Sequence, residues 1–511
     1  MNAIVTTTYG KLEGLDQDGL VVFKGVPFAE PPVGSRRWLA PQKPSAWNGI
    51  RDAYNFGAAC PQARMQPVVL AGMQLEEPLS EDCLYLNIWT PKADNKQRPV
   101  MVWIHGGAFR IGSGAQIIYD GSSLARRGDV VVVTINYRLG PFGFLRLADL
   151  TDGKIPSTGN EGLLDQIAAL EWVRDNIAQF GGDPANVTIF GESAGAMSVG
   201  ALLAMPPARG LFHKAIPQSG ASHNGWSAKK ANRNAEKIIA CSGADASKPD
   251  SMRSLPVGTL LRSTLLPDGK TEDPELGMAY QAVFDGVQLP GAPIDQVAQG
   301  YASAVPVLVG TTLEEWKLFT MVDPGTVKID KGELKNRTSR RVGGAEAADR
   351  LIASYEQARG SRGEPATPLE IFSALETDRI LRMPAIKLAE TQSRHQSRVF
   401  SYLFTWKSSA MGGLLGSCHA LELGFVFGTY NRPGMQQFCG AGPKADQLAT
   451  EMRDAWLSFA KSGDPGWAPY TNSRRTTMLF GEKTEPVDAP RDEERRAWDG
   501  VSEQVLGLLS F

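Results

Sequence analysis

The segment Val187-Thr188-Ile189-Phe190-Gly191-Glu192-Ser193-Ala194-Gly195 constrains the fold more than any other part of the chain. An apolar, β-branched run reads as a buried strand, Ala196-Met197-Ser198-Val199 reads as the start of a helix, and Gly-x-Ser-x-Gly joins them. A strand that turns this tightly into a helix needs small residues on both sides of the turn. Ser193 can then hold a strained backbone and project its hydroxyl outward. The following helix points its N-terminus, with unpaired N–H groups, at whatever reacts there. The pentapeptide alone also fits an ordinary glycine-rich turn. Its position at the end of a predicted strand makes Ser193 the candidate nucleophile.

Further apolar runs, Val100 to Ile104, Val130 to Ile135, Val305 to Val309 and Val399 to Phe404, are each followed by a turn and by helix-like periodicity. Gly162 to Phe180 shows that periodicity, with Leu163, Ile167, Leu170, Val173 and Ile177 on one face. Alternation of this kind predicts an α/β fold, a mainly parallel sheet covered by helices on both sides, with its site beyond the C-terminal ends of the strands. Three stretches break the pattern, residues 62–79, 225–300 and 323–383. They read as insertions above the sheet that form a cap or pocket, within one continuous domain spanning residues 1–511.

The strand Val100 to Ile104 ends in His105-Gly106-Gly107-Ala108-Phe109. Consecutive glycines let backbone N–H groups approach a ligand, so Gly106, Gly107 and Ala194 are candidates for an oxyanion hole, with His105 in a structural role. A nucleophilic serine needs a base, and the chain has five histidines. His105 belongs to the glycine turn, His213 reads as a packed or capping residue, His395 lies in a polar stretch, and His223 has no supporting pattern. His419 follows the last long strand and fits the order serine, acid, histidine. The acid should end a strand between them, where Glu314 and Glu315 follow Val307-Leu308-Val309-Gly310-Thr311-Thr312-Leu313 and compete on these grounds alone.

The formal charge is −2, from 53 basic and 55 acidic residues. That balance supplies no basic field for a nucleic acid and no acidic tail. Five cysteines, Cys60, Cys83, Cys241, Cys418 and Cys439, include no CxxC pair, so neither a metal site nor a cofactor is expected. The start MNAIVTTTYG has no charged and apolar leader, and no apolar run is long enough to span a bilayer. The expectation is a cytoplasmic protein without a membrane anchor, a monomer or weak homo-oligomer, acting on a small molecule.

Assembled, these segments resemble the type-B carboxylesterases, the α/β-hydrolase branch that holds cholinesterases, animal carboxylesterases and bacterial para-nitrobenzyl esterases. The resemblance extends to Phe23-Lys24-Gly25-Val26-Pro27-Phe28-Ala29-Glu30-Pro31-Pro32-Val33-Gly34, Glu81-Asp82-Cys83-Leu84-Tyr85-Leu86-Asn87-Ile88, Asn136-Tyr137-Arg138 and Trp456-Leu457-Ser458-Phe459-Ala460-Lys461-Ser462-Gly463. It implies a serine carboxylesterase with a Ser193, Glu315, His419 triad, since the second carboxylate of Glu314-Glu315 takes the family's acid position. It implies an oxyanion hole from Gly106, Gly107 and Ala194, with Glu192 and Ser219 supporting the site. Phe109, Phe142, Phe144, Trp316 and Phe319 lie in loops near the site and favour an uncharged ester with an apolar or aromatic part. No aromatic residue stands between Cys60 and Cys83, where cholinesterases carry the platform for a quaternary ammonium.

Three departures from the family bear on the site. Trp316 stands where glycine usually follows the acid, so it can narrow the site or shift Glu315. Cys418 precedes the histidine in place of a bulkier apolar residue, and if exposed it makes the site sensitive to thiol reagents. Cys60 and Cys83 match a pair bridged in exported relatives and are expected as free thiols in a cytosolic protein. Two rival readings remain. The same machinery can serve a carbamate, amide or toxin-ester hydrolase, and the fold also serves non-catalytic adhesion proteins like the neuroligins, which lack the nucleophile.

Overall fold

The computed structural model describes residues 3–63, 72–264, 278–322 and 324–507. The strands are β1 (Ala3–Thr6), β2 (Lys11–Gln17), β3 (Leu20–Pro27), β4 (Ile50–Asp52), β5 (Tyr85–Thr90), β6 (Arg98–Ile104), β7 (Val131–Ile135), β8 (Gly182–Glu192) and β9 (Lys214–Gln218), followed by β10 (Trp226–Ser227), β11 (Val283–Phe284), β12 (Val307–Thr312), β13 (Val399–Phe404), β14 (Thr476–Phe480) and β15 (Glu485–Asp488). Strands β10 and β11 form a small sheet of their own. The others form one large sheet in the order β1-β2-β3-β5-β7-β6-β8-β9-β12-β13-β14-β15, with β4 beside β2.

The stretch from β7 to β14 is parallel throughout. Antiparallel strands flank it, β5 on one side and β15 on the other. Alternate residues of each central strand enter different cores. Val100, Val102 and Ile104 face one, with Val187 and Ile189. Met101, Trp103, Phe190 and Leu308 face the other. A strand covered on both faces has no solvent side, which is why these strands read as unbroken apolar runs.

The predicted helix is Glu161–Asn176, continued by a 3₁₀ turn to Phe180. Its apolar face is buried, and so is Asp165, which accepts hydrogen bonds from Nε and Nη2 of Arg138 at 2.8 Å each. Tyr137, beside that arginine, donates its hydroxyl to the His105 carbonyl at 2.7 Å and stacks on the His105 ring. The Asn136-Tyr137-Arg138 motif thus braces the glycine turn that follows β6.

The strand Lys214–Gln218 escapes the sequence pattern because Lys214 and Pro217 interrupt its apolar run. A proline ordinarily argues against a central strand, yet Pro217 pairs in register with Gly191 of β8. Within residues 225–300 lie β10, β11 and the helices Ala228–Ser242, Pro249–Arg253, Val257–Arg262 and Pro293–Ala298, while residues 265–277 fall outside the described set. Within 323–383 lie Lys331–Val342, Ala345–Ser361 and Pro368–Thr377, the last running into a π-turn at Asp378–Arg382. Residues 64–71 of the first predicted insertion are also outside the described set. Among the described residues no helix is long and apolar enough to cross a membrane.

Candidate active site

Strand β8 ends at Glu192 and the helix Ala194–Leu202 begins one residue later, leaving Ser193 at φ 56°, ψ −124°. This is a strained conformation for a residue with a Cβ, and the surroundings enforce it. Ser193 N–H donates to the Gln218 carbonyl of β9 at 2.9 Å. The flanking glycines are required by close approach. A Cβ on Gly195 would lie 2.0 Å from the Ile104 carbonyl oxygen, and one on Gly191 would lie 2.7 Å from the Gly195 carbonyl. Ser193 keeps partial exposure while Glu192 and Ala194 beside it are buried.

Gly106 packs directly against this turn. A Cβ there would lie 3.1 Å from Ser193 Cβ and 2.7 Å from the Glu192 carbonyl oxygen. Gly107 has φ 106°, and a Cβ there would lie 2.1 Å from the Ile111 carbonyl oxygen. Among the described residues, the N–H groups of Gly106, Gly107 and Ala194 have no hydrogen-bond acceptor. One donor at a helix N-terminus and two on the glycine turn packed against it form a place where negative charge is stabilised.

His419 joins this cluster from the loop after β13. Its Nδ1 lies 2.6 Å from Oε2 of Glu315, whose Oε1 accepts the Thr312 N–H at 2.8 Å. The two neighbouring glutamates point in different directions. Glu314 turns away, accepting the Ser417 N–H at 2.9 Å and pairing with Lys317 at 2.7 Å, so it ties the histidine loop to the end of β12. No hydrogen bond joins the Ser193 hydroxyl to His419 among the described residues. The imidazole Nε2 lies 3.0 Å from Oε1 of Glu192, which itself has no hydrogen bond. That contact is electrostatic and leaves the Nε2 hydrogen-bonding direction unspent.

One residue escaped the sequence reading. Glu422, three residues beyond His419 and just before the helix Leu423–Phe427, is fully buried and accepts from Nε2 of Gln218 at 3.2 Å, while its Oε2 has no partner among the described residues. Trp456 Nε1–H donates to Oε1 of the same glutamine at 3.0 Å, which fixes the amide. A carboxylate in the otherwise apolar Ala420-Leu421-Glu422-Leu423 segment was the available signal. Glu192, Glu315 and Glu422 thus share one buried region with a single imidazole. Burial pushes Glu192 up to about 7, against the pull of His419. It pushes Glu422 up to about 8, with Glu192 and Glu315 adding to the effect. Burial opposes a charged imidazole, yet Glu192 and Glu315 outweigh it and raise His419 to about 9.

The other candidates separate by burial. Ser219 is buried at φ 52°, with an unpartnered hydroxyl, where β9 ends. Phe109 is 1% exposed and packs against Phe144 at 4.7 Å. Trp316 is buried and contacts the half-buried Phe319, whose ring centroid lies 5.1 Å from that of His419. Cys418 is fully buried, so the thiol-reagent sensitivity expected of an exposed residue does not arise. Burial and the Glu315 charge also hold its thiol far above the ordinary range. Cys60 and Cys83 are buried and unbridged. The remaining histidines are held elsewhere: His105 against the Gly106 carbonyl, His213 as acceptor of the Val187 N–H, His395 against the Ala298 carbonyl, and His223 4.0 Å from Glu503, where burial lowers it to about 4.

A family model described as the carboxylesterase family matches residues 1–498. The chain belongs to the carboxylesterase family. It is 38% identical over 502 residues to the para-nitrobenzyl esterase of Bacillus subtilis, covering 96% of this chain and 98% of that one. It is 34% identical over 515 residues to phenmedipham hydrolase of Pseudarthrobacter oxydans, covering 98% and 99%. The crystal structure of a carboxylesterase from Geobacillus stearothermophilus superposes with a TM-score of 0.86 at 41% identity, covering 97% of this chain and 99% of that one. The fold is accordingly the α/β-hydrolase fold, and the protein is a serine carboxylesterase that hydrolyses carboxylic esters.

Proposed function

We propose that in this carboxylesterase Ser193 is the nucleophile, His419 the general base and Glu315 the acid that orients it. The observation that carries this reading is the 2.6 Å contact of Glu315 Oε2 with His419 Nδ1, which leaves Nε2 turned toward the strand-to-helix turn where Ser193 is strained and partly exposed. His419 Nε2 takes the Ser193 proton as Oγ adds to the ester carbonyl. The carbonyl π-electrons move to oxygen, which rests on the N–H groups of Gly106, Gly107 and Ala194. Collapse breaks the bond to the leaving oxygen, and that oxygen takes the proton from Nε2. Water then attacks the acyl-enzyme by the same route and releases the acid and Ser193.

Glu192 and Ser219 support this machinery from the ends of β8 and β9. The preferred substrates are uncharged esters with an apolar or aromatic part, because Phe319, packed on Trp316, borders the imidazole and the site's own carboxylates disfavour an anion. The described parts of the segments at 62–79, 225–300 and 323–383 are assigned the rest of the pocket in this reading. Turnover of para-nitrophenyl butyrate by wild type and Ser193→Ala, with the intact mass measured after a fluorophosphonate, tests the assignment. Wild type should turn over and gain one adduct on Ser193, and the variant should do neither. A folded, unlabelled, inert wild type would overturn it. Matched ester, carbamate and anilide substrates separate ester preference from the rival leaving groups.

A further inference from the structure

Three arginines, Arg382, Arg475 and Arg495, line one cavity of about 30 Å³, enclosed by the strands β12, β13 and β14, the helix Met383–Gln392 and residues of the C-terminal segment 489–495. None of Ser193, Glu315 and His419 lines it. A buried water needs about 10–15 Å³, so the space takes two waters or one ion of similar size, and neither an ester nor an acyl chain.

The lining is rich in unengaged donors and poor in acceptors. Arg382 is buried, with Nη1 on Asp378 at 3.0 Å and Nη2 on the Pro490 carbonyl at 2.8 Å, and its Nε has no acceptor among the described residues. Arg475 meets Glu390 through Nε alone, at 3.4 Å, and its Nη groups have no acceptor among the described residues. Tyr470 is 3% exposed and is anchored by its backbone N–H on the Val399 carbonyl at 2.7 Å. Its hydroxyl has no hydrogen-bond partner among the described residues, and the Arg475 guanidinium stands nearby without hydrogen-bond geometry. Burial and the Glu390 charge hold the phenol above its ordinary range, so it keeps its proton and can donate. One carboxylate, Asp492, is among the lining residues, and both its oxygens are taken. Arg495 Nε holds Oδ1 at 2.7 Å and Arg496 Nε holds Oδ2 at 2.6 Å. Arg495 in turn gives both Nη groups to Asp499. Three guanidinium groups thus line the cavity against one carboxylate, with Asp378, Glu390 and Asp499 as their partners outside it. A buried hydroxyl beside cationic donors is costly until something accepts from them, and an anion accepts more strongly than water does.

We propose that this cavity binds one small monovalent inorganic anion, chloride under ordinary salt conditions, held by the Tyr470 hydroxyl, the Nη groups of Arg475 and the Nε of Arg382. The ion joins segments far apart in the chain: the π-turn Asp378–Arg382, the stretch from Tyr470 to Arg475 before β14 and, through Arg382, the turn at Pro490. Its effect is to hold the C-terminal segment against the edge of the sheet. The proposal is independent of the acyl-transfer reading, and its readouts do not involve turnover.

Two measurements test it. Wild type, Tyr470→Phe, Arg475→Gln and the control Arg474→Gln are melted in sodium chloride exchanged for sodium gluconate at constant ionic strength, gluconate being too large for the cavity. Arg474 has a side chain 63% exposed, pairs with Asp488 and does not line the cavity. The Tm of wild type should be flat at low chloride and climb with the logarithm of its concentration once the site fills. Tyr470→Phe and Arg475→Gln should move the onset of that climb at least about tenfold higher in chloride, the size of one lost hydrogen bond to a charged group. Arg474→Gln should keep the wild-type curve, and sulfate should not reproduce the effect. A wild-type crystal soaked in sodium bromide should show an anomalous peak in the cavity, in contact with the Tyr470 hydroxyl. Water alone in the cavity of the soaked crystal overturns the proposal, as does a wild-type Tm that ignores chloride. Coincident curves for wild type, Tyr470→Phe and Arg475→Gln would mean an adventitious ion only, and an equal response to sulfate would refute the assigned size. Where a variant fails to fold, the bromide map of wild type decides by itself.

Discussion

His419 Nε2 lies 3.0 Å from Oε1 of Glu192, the residue immediately before Ser193. The imidazole is therefore clasped by carboxylates at both ring nitrogens, Glu315 on Nδ1 and Glu192 on Nε2. Both carboxylates favour the protonated imidazole, and Glu315 also fixes the ring through its contact with Nδ1. In the proposed mechanism Glu192 slows the first proton transfer to His419 and steadies the imidazolium once formed.

A pH profile follows from this clasp. Only the neutral imidazole can accept the Ser193 proton, and His419 is raised to about 9 by Glu192 and Glu315 against the opposing effect of burial. The kcat/KM of wild type should thus climb with pH through a limb above 6.5, the ordinary imidazole value. Glu192→Gln removes one of the two anions, so its limb should move to lower pH by about one pH unit. Profiles at constant ionic strength check this, and coincident limbs would refute it.

The neighbouring glutamates should part company under mutation. Glu315→Gln keeps the shape but loses the charge on Nδ1, and should lower kcat by about 10³ to 10⁴-fold with little change in KM. Glu314→Gln alters the contacts with the Ser417 N–H and Lys317, away from the imidazole. It should cost about 1 kcal/mol of stability and leave kcat within about threefold. Steady-state kinetics and thermal melts on both variants decide the matter, and equal losses of kcat would contradict it.

Much of this arrangement was legible in the chain because its parts are local. A strand, a small-residue turn and a helix in succession specify Ser193 and its strain, and the two glycines after β6 specify donors that must be close to it. Strand β13, buried on both faces, matched its predicted span from Val399 to Phe404. What was illegible depends on contacts between distant segments. Pro217 hides β9, since its tolerance there comes from its pairing with Gly191 of another strand. Glu422 looks like a stray charge until Gln218 and Trp456 arrive beside it. The choice between Glu314 and Glu315 is a matter of which side chain turns inward, and adjacent residues at a strand end carry no periodicity that says so.

Thiol labelling distinguishes the described cysteines. Cys60, Cys83, Cys418 and Cys439 are buried, and Cys241 is exposed on the helix Ala228–Ser242. A maleimide should add once to the native protein, at Cys241, with full retention of activity, and five times after denaturation. Mass spectrometry with peptide mapping reads both numbers. Rapid inactivation accompanied by label on Cys418 would show that the loop bearing His419 opens more readily than its packing implies.

Glu422 gives a stability prediction with a definite sign. Burial, with Glu192 and Glu315 adding to it, raises its carboxyl to about 8, whereas in the unfolded chain it titrates near the ordinary value of about 4.3. Between those values the folded protein holds a proton that the unfolded chain has released. The native state thus loses ground to the unfolded state as pH rises through that window, and the loss levels off above the folded value. Glu422→Gln places a neutral group of the same shape in the same site, still able to accept from Gln218, and removes this contribution. The melting temperature of the variant relative to wild type should therefore rise steadily from pH 5 to pH 8 and then flatten. Glu192 retains its own raised value in both proteins and cancels in the comparison to first order. A difference that stays constant with pH would mean that Glu422 is already ionised in the folded enzyme. The unpartnered Oε2 would then carry a charge balanced by the imidazolium of His419.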